Sequence, residues 1–179
     1  MAGQRLTDKT ALAEQTGSGD LYMVVDVNDT TGSSAGTSKS IDSKFVIQTD
    51  KFSLNNTEVQ ALNTTPKTLI GALSGYMPTI YNVTVLCTYA AAAEASNNGL
   101  LFGFDGTVDT DYWGKVDRIM SSESTDCSYV VHAQGAPRTP VKNTSIINTP
   151  FICWASGTGF LGGWSCDIYV TYAYTKLLW

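Results

Sequence analysis

The feature that most constrains this chain is a strict alternation of apolar and polar residues that recurs at two distant places. From Ile80 to Tyr89, residues Tyr81, Val83, Val85, Cys87 and Tyr89 take one side, while Asn82, Thr84 and Thr88 take the other. From Ile168 to Thr175, Ile168, Val170, Tyr172 and Tyr174 oppose Thr171, Ala173 and Thr175. A period of two puts successive side chains on opposite faces, so each run reads as a half-buried antiparallel strand. Shorter strand signals fall at 68–72, 100–104, 129–133, 145–147 and 151–155. Turn chemistry separates them at Asn97-Asn98-Gly99, Asp105-Gly106, Gly135-Ala136-Pro137 and Ser156-Gly157-Thr158-Gly159. The Ala run within 89–95 allows one helical turn, too short to change the class.

The first third is organised differently. Residues 1–20 form a polar arm that ends at Gly17-Ser18-Gly19. Leu21–Val27 reads as a strand, 28–40 as a loop, and 41–48 as a second strand with Phe45, Val46 and Ile47 as its apolar part. Residues 49–57 read as a polar link. The spacing therefore predicts a mostly β protein: an N-terminal extended arm and hairpin over 1–55, then an antiparallel β-sandwich, jelly-roll-like, over 56–179.

Composition narrows the function classes. Hydrophobic residues make up 43% of the 179, which excludes a wholly disordered chain. A net charge of −5 argues against a protein that grips nucleic acid. No stretch approaches the ~18 consecutive apolar residues of a membrane helix, and no apolar signal core follows Met1-Ala2-Gly3-Gln4-Arg5. Folding in a reducing cytoplasm is the expectation, with Cys87, Cys127, Cys153 and Cys166 as free thiols. Four cysteines permit three pairings, and none of them is spaced CxxC as a zinc site would need.

Candidate chemistry is sparse. The one histidine, His132, has no Gly-x-Ser-x-Gly elbow to complete a triad. Asp105, Asp109 and Asp111 lie close enough in sequence for a cation loop or a carboxylate pair, but they lack the EF-hand pattern and read as a turn. Residues 157–163 (GTGFLGG) sit between strand signals, so they form a loop between strands and not a phosphate loop. No catalytic, cofactor or metal residue is assigned. Aromatic residues offer another role. Tyr112, Trp113, Trp154, Phe160, Trp164 and Trp179 crowd the second half. Exposed Trp and Tyr rings stack sugars, which makes Tyr112, Trp113 and Trp164 candidate glycan contacts. The competing assignment for the same rings is core or subunit interface.

The run from Asp20 to Lys39 (DLYMVVDVNDTTGSSAGTSK) resembles a segment near the N-termini of bacteriophage fibre and appendage proteins. The second half, opening near Leu62-Asn63-Thr64-Thr65-Pro66-Lys67-Thr68-Leu69 and closing on Ile168–Tyr174, is similar to small phage virion domains. The resemblance implies a non-enzymatic virion structural protein that needs no cofactor. Its expected form is a short homotrimeric head fibre or capsid decoration, since a repetitive shaft is lacking. Its partners would be copies of itself and a capsid, portal or tail protein, with no nucleic acid or membrane. Leu6, Leu12, Leu21, Met23, Val25 and Val27 would anchor it to the particle. Tyr172, Tyr174, Leu177, Leu178 and Trp179 would form the trimer interface. The alternative is a carbohydrate-binding adhesin or tail receptor-binding protein that attaches the virion to host surface glycans.

Overall fold

A computed structural model of the chain describes residues 21–26, 28–29, 31, 37–42, 45–104, 112–133 and 147–176. The chain divides after Gln48 into two units. In the first, β1 (Leu21–Asp26) pairs antiparallel with β2 (Thr37–Asp42), Leu21 opposite Asp42 and Asp26 opposite Thr37. Asp29 organises the exit from β1. Its carboxylate accepts hydrogen bonds from the Thr31 backbone N–H at 3.1 Å and hydroxyl at 2.6 Å, and it pairs with Lys39 on the returning strand. The second strand therefore lies earlier than the apolar residues suggest. A two-stranded ladder is made by backbone groups, and Thr, Ser and Lys serve it as well as Val or Ile. Phe45 and Ile47, expected inside that strand, are exposed beyond it.

β3 (Gln48–Leu54) starts at the boundary and runs into the second unit, which also contains α1 (Asn56–Ala61), β4 (Lys67–Ile70), β5 (Tyr76–Ala92), β6 (Leu100–Gly103), β7 (Gly114–Val116), β8 (Cys127–Val131), β9 (Phe151–Ala155) and β10 (Gly163–Lys176). These strands form two four-stranded sheets, in the orders β3-β10-β5-β8 and β4-β9-β6-β7. The pairing is nested: β3 lies beside β10, β4 beside β9, β5 beside β8 and β6 beside β7. Two further antiparallel pairings, β5 with β10 and β6 with β9, complete the sheets. Every link between consecutive strands crosses from one sheet to the other except that between β6 and β7. The mostly β, antiparallel sandwich expected from the alternation is what the chain forms.

Alternation explains the two long strands. Val83, Val85 and Cys87 on β5 and Ile168, Val170 and Tyr172 on β10 all turn inward and are buried. Tyr81, expected to join them, is 51% exposed instead. The register slips here, with Thr171 opposite Asn82 and Tyr172 opposite Ile80, so Tyr81 is the extra residue of a bulge. Trp164, Phe102, Phe151, Leu100, Ile119 and Met120 fill the space between the sheets. Phe160 meets Trp164 edge-on, with centroids 5.2 Å apart.

Three further expectations change. The polar link at 49–57 is structured: the compact unit begins at Thr49, β3 is an edge strand of the first sheet, and α1 follows. Asn55 caps α1 by accepting from the Glu58 N–H, while the Glu58 carboxylate accepts from the Asn55 N–H, each at 3.0 Å. Val59 is buried and fixes the helix on the sandwich. The Ala run that begins at Ala90 is extended as far as Ala92, where β5 ends. Of the strand expected at 145–147, Ile147 lies in a turn, and 145–146 fall outside the described residues.

Candidate functional site

One end of the sandwich is built around Glu94, the only buried charged side chain among the described residues. It lies two residues past the end of β5, and its backbone N–H donates to the Met120 carbonyl at 3.0 Å. Its side chain reaches the loop between β9 and β10. Oε1 accepts from the N–H of Ser96 at 2.8 Å and of Leu161 at 3.1 Å. Oε2 accepts from the N–H of Leu161 at 3.0 Å and of Gly162 at 2.8 Å, and from Trp164 Nε1 at 3.2 Å. Burial by itself would raise the pKa of this carboxyl. The N–H groups of Ser96, Gly162 and Leu161 outweigh that and hold it below the ordinary glutamate value.

The same loop is tied down by amides. Asn98 Nδ2 donates to the Gly159 carbonyl, Asn63 Nδ2 to Thr158 at 2.9 Å, and Asn56 Nδ2 to Gly162 at 2.8 Å and Trp164 at 3.0 Å. Gly162 is required by proximity, since a Cβ there would lie 2.9 Å from the Glu94 Cα and 2.7 Å from Trp164 Cδ1. The opposite wall is strained. Arg118, Met120 and Ser122 have φ of 53°, 56° and 63°, a left-handed backbone that non-glycine residues seldom adopt. The Tyr129 hydroxyl helps to hold it by accepting from the Met120 N–H at 3.0 Å. At the centre of this rigid end Leu161 stands 68% exposed. The carboxylate is saturated by its own chain, so the arrangement suits presenting a fixed surface better than moving a proton.

A second surface is the outer face of the β3-β10-β5-β8 sheet. Lys51 and Ser53 on β3 both reach Asp167 on β10, at 2.8 and 2.6 Å. Lys51, followed by Ser53, lowers the Asp167 pKa. Toward the other edge the face turns apolar: Leu86 on β5 is 41% exposed and Val130 on β8 is 58% exposed. Thr84 is opposite Val130 and Ser128 opposite Leu86, so the two apolar side chains are diagonal neighbours on one face.

Trp164 is withdrawn as a glycan contact: it is fully buried and its indole N–H is taken by Glu94. Tyr112 and Trp113 are half-buried, with Lys115 Nζ 5.3 Å from the Tyr112 ring centroid and Trp113 edge-on to Phe151 at 5.8 Å. Trp154 and Phe160 are core. Tyr172 is also withdrawn as an interface residue, because its own chain buries it and its hydroxyl donates to Asp50 at 2.8 Å. Tyr174 is half-buried beside it, its hydroxyl donating to the Gly71 carbonyl at 2.6 Å. Leu177, Leu178 and Trp179 lie outside the described residues, as do Leu6, Leu12, Val27 and the loop carrying Asp105, Asp109 and Asp111. Leu21, Met23 and Val25 occupy alternate positions of β1. His132 is exposed just past β8. Among the described residues no cluster of His, Cys, Asp or Glu is arranged to hold a metal ion, and no helix is long and apolar enough to cross a membrane.

Sequence patterning alone does not single out Glu94 or the Leu86–Val130 patch, whereas the capping pair of α1 carries a local signal in Asn55-x-x-Glu58 ahead of Val59. Comparison with known proteins supplies no relative: no family model, curated protein or solved structure matches the chain.

Proposed function

We propose that the chain is a non-enzymatic structural protein of a bacteriophage virion, a short homotrimeric head fibre or capsid decoration whose N-terminal unit docks on the particle. The carrying observation is the division of labour along the chain. The Asp20–Lys39 run, which resembles phage fibre N-termini, belongs to a hairpin unit separate from the sandwich, and the sandwich has a core of its own. The nested strand pairing supports reading the sandwich as a jelly roll, an architecture used by both capsid and lectin domains. Fold alone does not choose between those two. The N-terminal unit favours the structural role, and the burial of Trp164 removes one of three residues from the glycan-binding alternative.

Copies would associate through the apolar part of the outer sheet face. Of the six large apolar residues exposed among those described, Tyr81, Leu86 and Val130 are all on β5 or β8. Closed rotational symmetry lets such patches cover one another without growing a filament. The test is incorporation into particles. Full-length chain should co-purify with assembled virions, and a chain beginning at Thr49 should stay folded but be left behind. Normal incorporation of the shortened chain would overturn the docking role. Light scattering on the full chain should give about three times its 19.2 kDa mass. A monomer mass would remove the trimer.

A further inference from the structure

We infer that Cys127 and Cys87 are an intrachain modification site that closes to a cross-strand disulfide when the folded protein meets a low-molecular-weight disulfide such as glutathione disulfide. Three cysteines from three adjacent strands stand in one row. Cys127 on β8 is directly opposite Cys87 on β5, and Cys87 is directly opposite Cys166 on β10. Opposed antiparallel residues share a face and hold their Cα atoms ~4.5–5.5 Å apart, inside the ~4.4–6.8 Å that a disulfide bridges. All four cysteines are thiols in this structure.

Access sets the order of reaction. Cys87, Cys153 and Cys166 are buried, whereas Cys127 is half-buried on the edge strand of its sheet, with β5 as its neighbour in the ladder. Its thiol donates to the Thr125 carbonyl at 3.4 Å, at the rim of the sandwich. Burial, then the neighbouring cysteines, pushes the Cys87 thiol up, and burial pushes Cys166 up to about 12. Burial and then Glu123 raise Cys127 as well, so exchange is faster at mildly alkaline pH. The Cys127 thiolate attacks one sulfur of glutathione disulfide, forming a mixed disulfide and releasing one glutathione thiolate. The Cys87 sulfur then attacks Cys127 Sγ and displaces the second glutathione, which takes up the Cys87 proton. Two protein thiols are oxidised to one disulfide, and one glutathione disulfide is reduced to two thiols.

The test incubates full-length protein with glutathione disulfide at mildly alkaline pH, blocks residual thiols, digests with trypsin without reduction and maps the products by mass spectrometry. Cys87 falls in the tryptic peptide 68–115, Cys127 in 119–138, and Cys153 with Cys166 in 143–176. The expected product joins 68–115 to 119–138, is absent from Cys127→Ser, and persists in Cys166→Ala. A stable glutathione adduct on Cys127, a link that includes 143–176, or four blocked thiols after incubation would each overturn the assignment.

Discussion

The middle of the sandwich and its Glu94 end are held together by opposite strategies. In the middle, β5 and β10 face the core with a long series of buried apolar residues, and each contributes a share. At the end, one carboxylate gathers donors from Ser96, Leu161, Gly162 and Trp164, and its own backbone adds a bond to Met120. Many weak contributions tolerate the loss of one, whereas a single hub leaves several orphaned donors when removed. Trp164 belongs to both regions, since its ring is core and its N–H is bound to the hub.

Trp164→Ala should therefore be the most damaging single change. It removes the largest fully buried side chain and leaves a cavity, at about 3–5 kcal/mol. For a chain of this size each kcal/mol lowers the melting temperature by ~2–4 °C, so a drop of roughly 6–20 °C is expected by calorimetry. A fall of only a few degrees would mean that the middle absorbs even this loss.

Glu94→Ala comes next, at about 2–4 kcal/mol, because buried N–H groups lose their acceptor without apolar compensation. Glu94→Gln adds a titration test. The folded pKa of Glu94 lies below its unfolded value, so its carboxylate stabilises the fold fully above the unfolded pKa of ~4.3. That contribution is lost as pH falls through the lower folded value. The melting-temperature gap between wild type and Glu94→Gln should be constant from about pH 7 to 5 and shrink below about pH 4. A gap unchanged down to pH 3 would show that the charge of Glu94 is not what holds the loop.

These two regions also differ in how well the sequence announces them. The β5–β10 ladder is legible because a period of two sustained over eight or more residues matches the strand repeat and not the helical one. Edge strand β3 is not: QTDKFSL offers only Phe52 and Leu54 to the core, and its outward Lys51 and Ser53 are satisfied by Asp167, far along the chain. The start of α1 is written in Asn55-Asn56-Thr57-Glu58 followed by Val59, a capping-box pattern hidden inside a polar stretch. Glu94 has no local sign at all. It ends an Ala-rich run, and its main partners lie 67–70 residues away in the loop before β10. Trp164 is visible as an aromatic residue but not as a buried one, because its position relative to the β9–β10 loop is set by those distant bonds.

Asn55→Ala sharpens the contrast from the edge of the molecule. It deletes the acceptor for the Glu58 N–H while leaving Val59 in place, and caps of this kind contribute about 1 kcal/mol. The melting temperature should fall by ~2–4 °C with no change in the β signal of circular dichroism. A loss as large as that of Glu94→Ala would mean that α1 is a second hub.

The smallest effect on folding is expected where the first two regions have no hold, on the outer sheet face. Leu86 and Val130 stand on the same strands as the buried Val85 and Val131 but point the other way. They make little use of the core, so Leu86→Ser with Val130→Ser should alter stability within about 0.5 kcal/mol per site. Loss of strand propensity at two β positions is the main expected cost. Assembly should respond in the opposite sense, because a patch that contributes little to one chain is where copies gain most by burial. Light scattering of the double variant should then show single chains at concentrations where wild type is associated, with melting lowered by no more than ~2–4 °C. If the variant stays associated, the interface lies elsewhere on the chain. If instead it unfolds, the outer face belongs with the middle of the sandwich and contributes to holding each chain together.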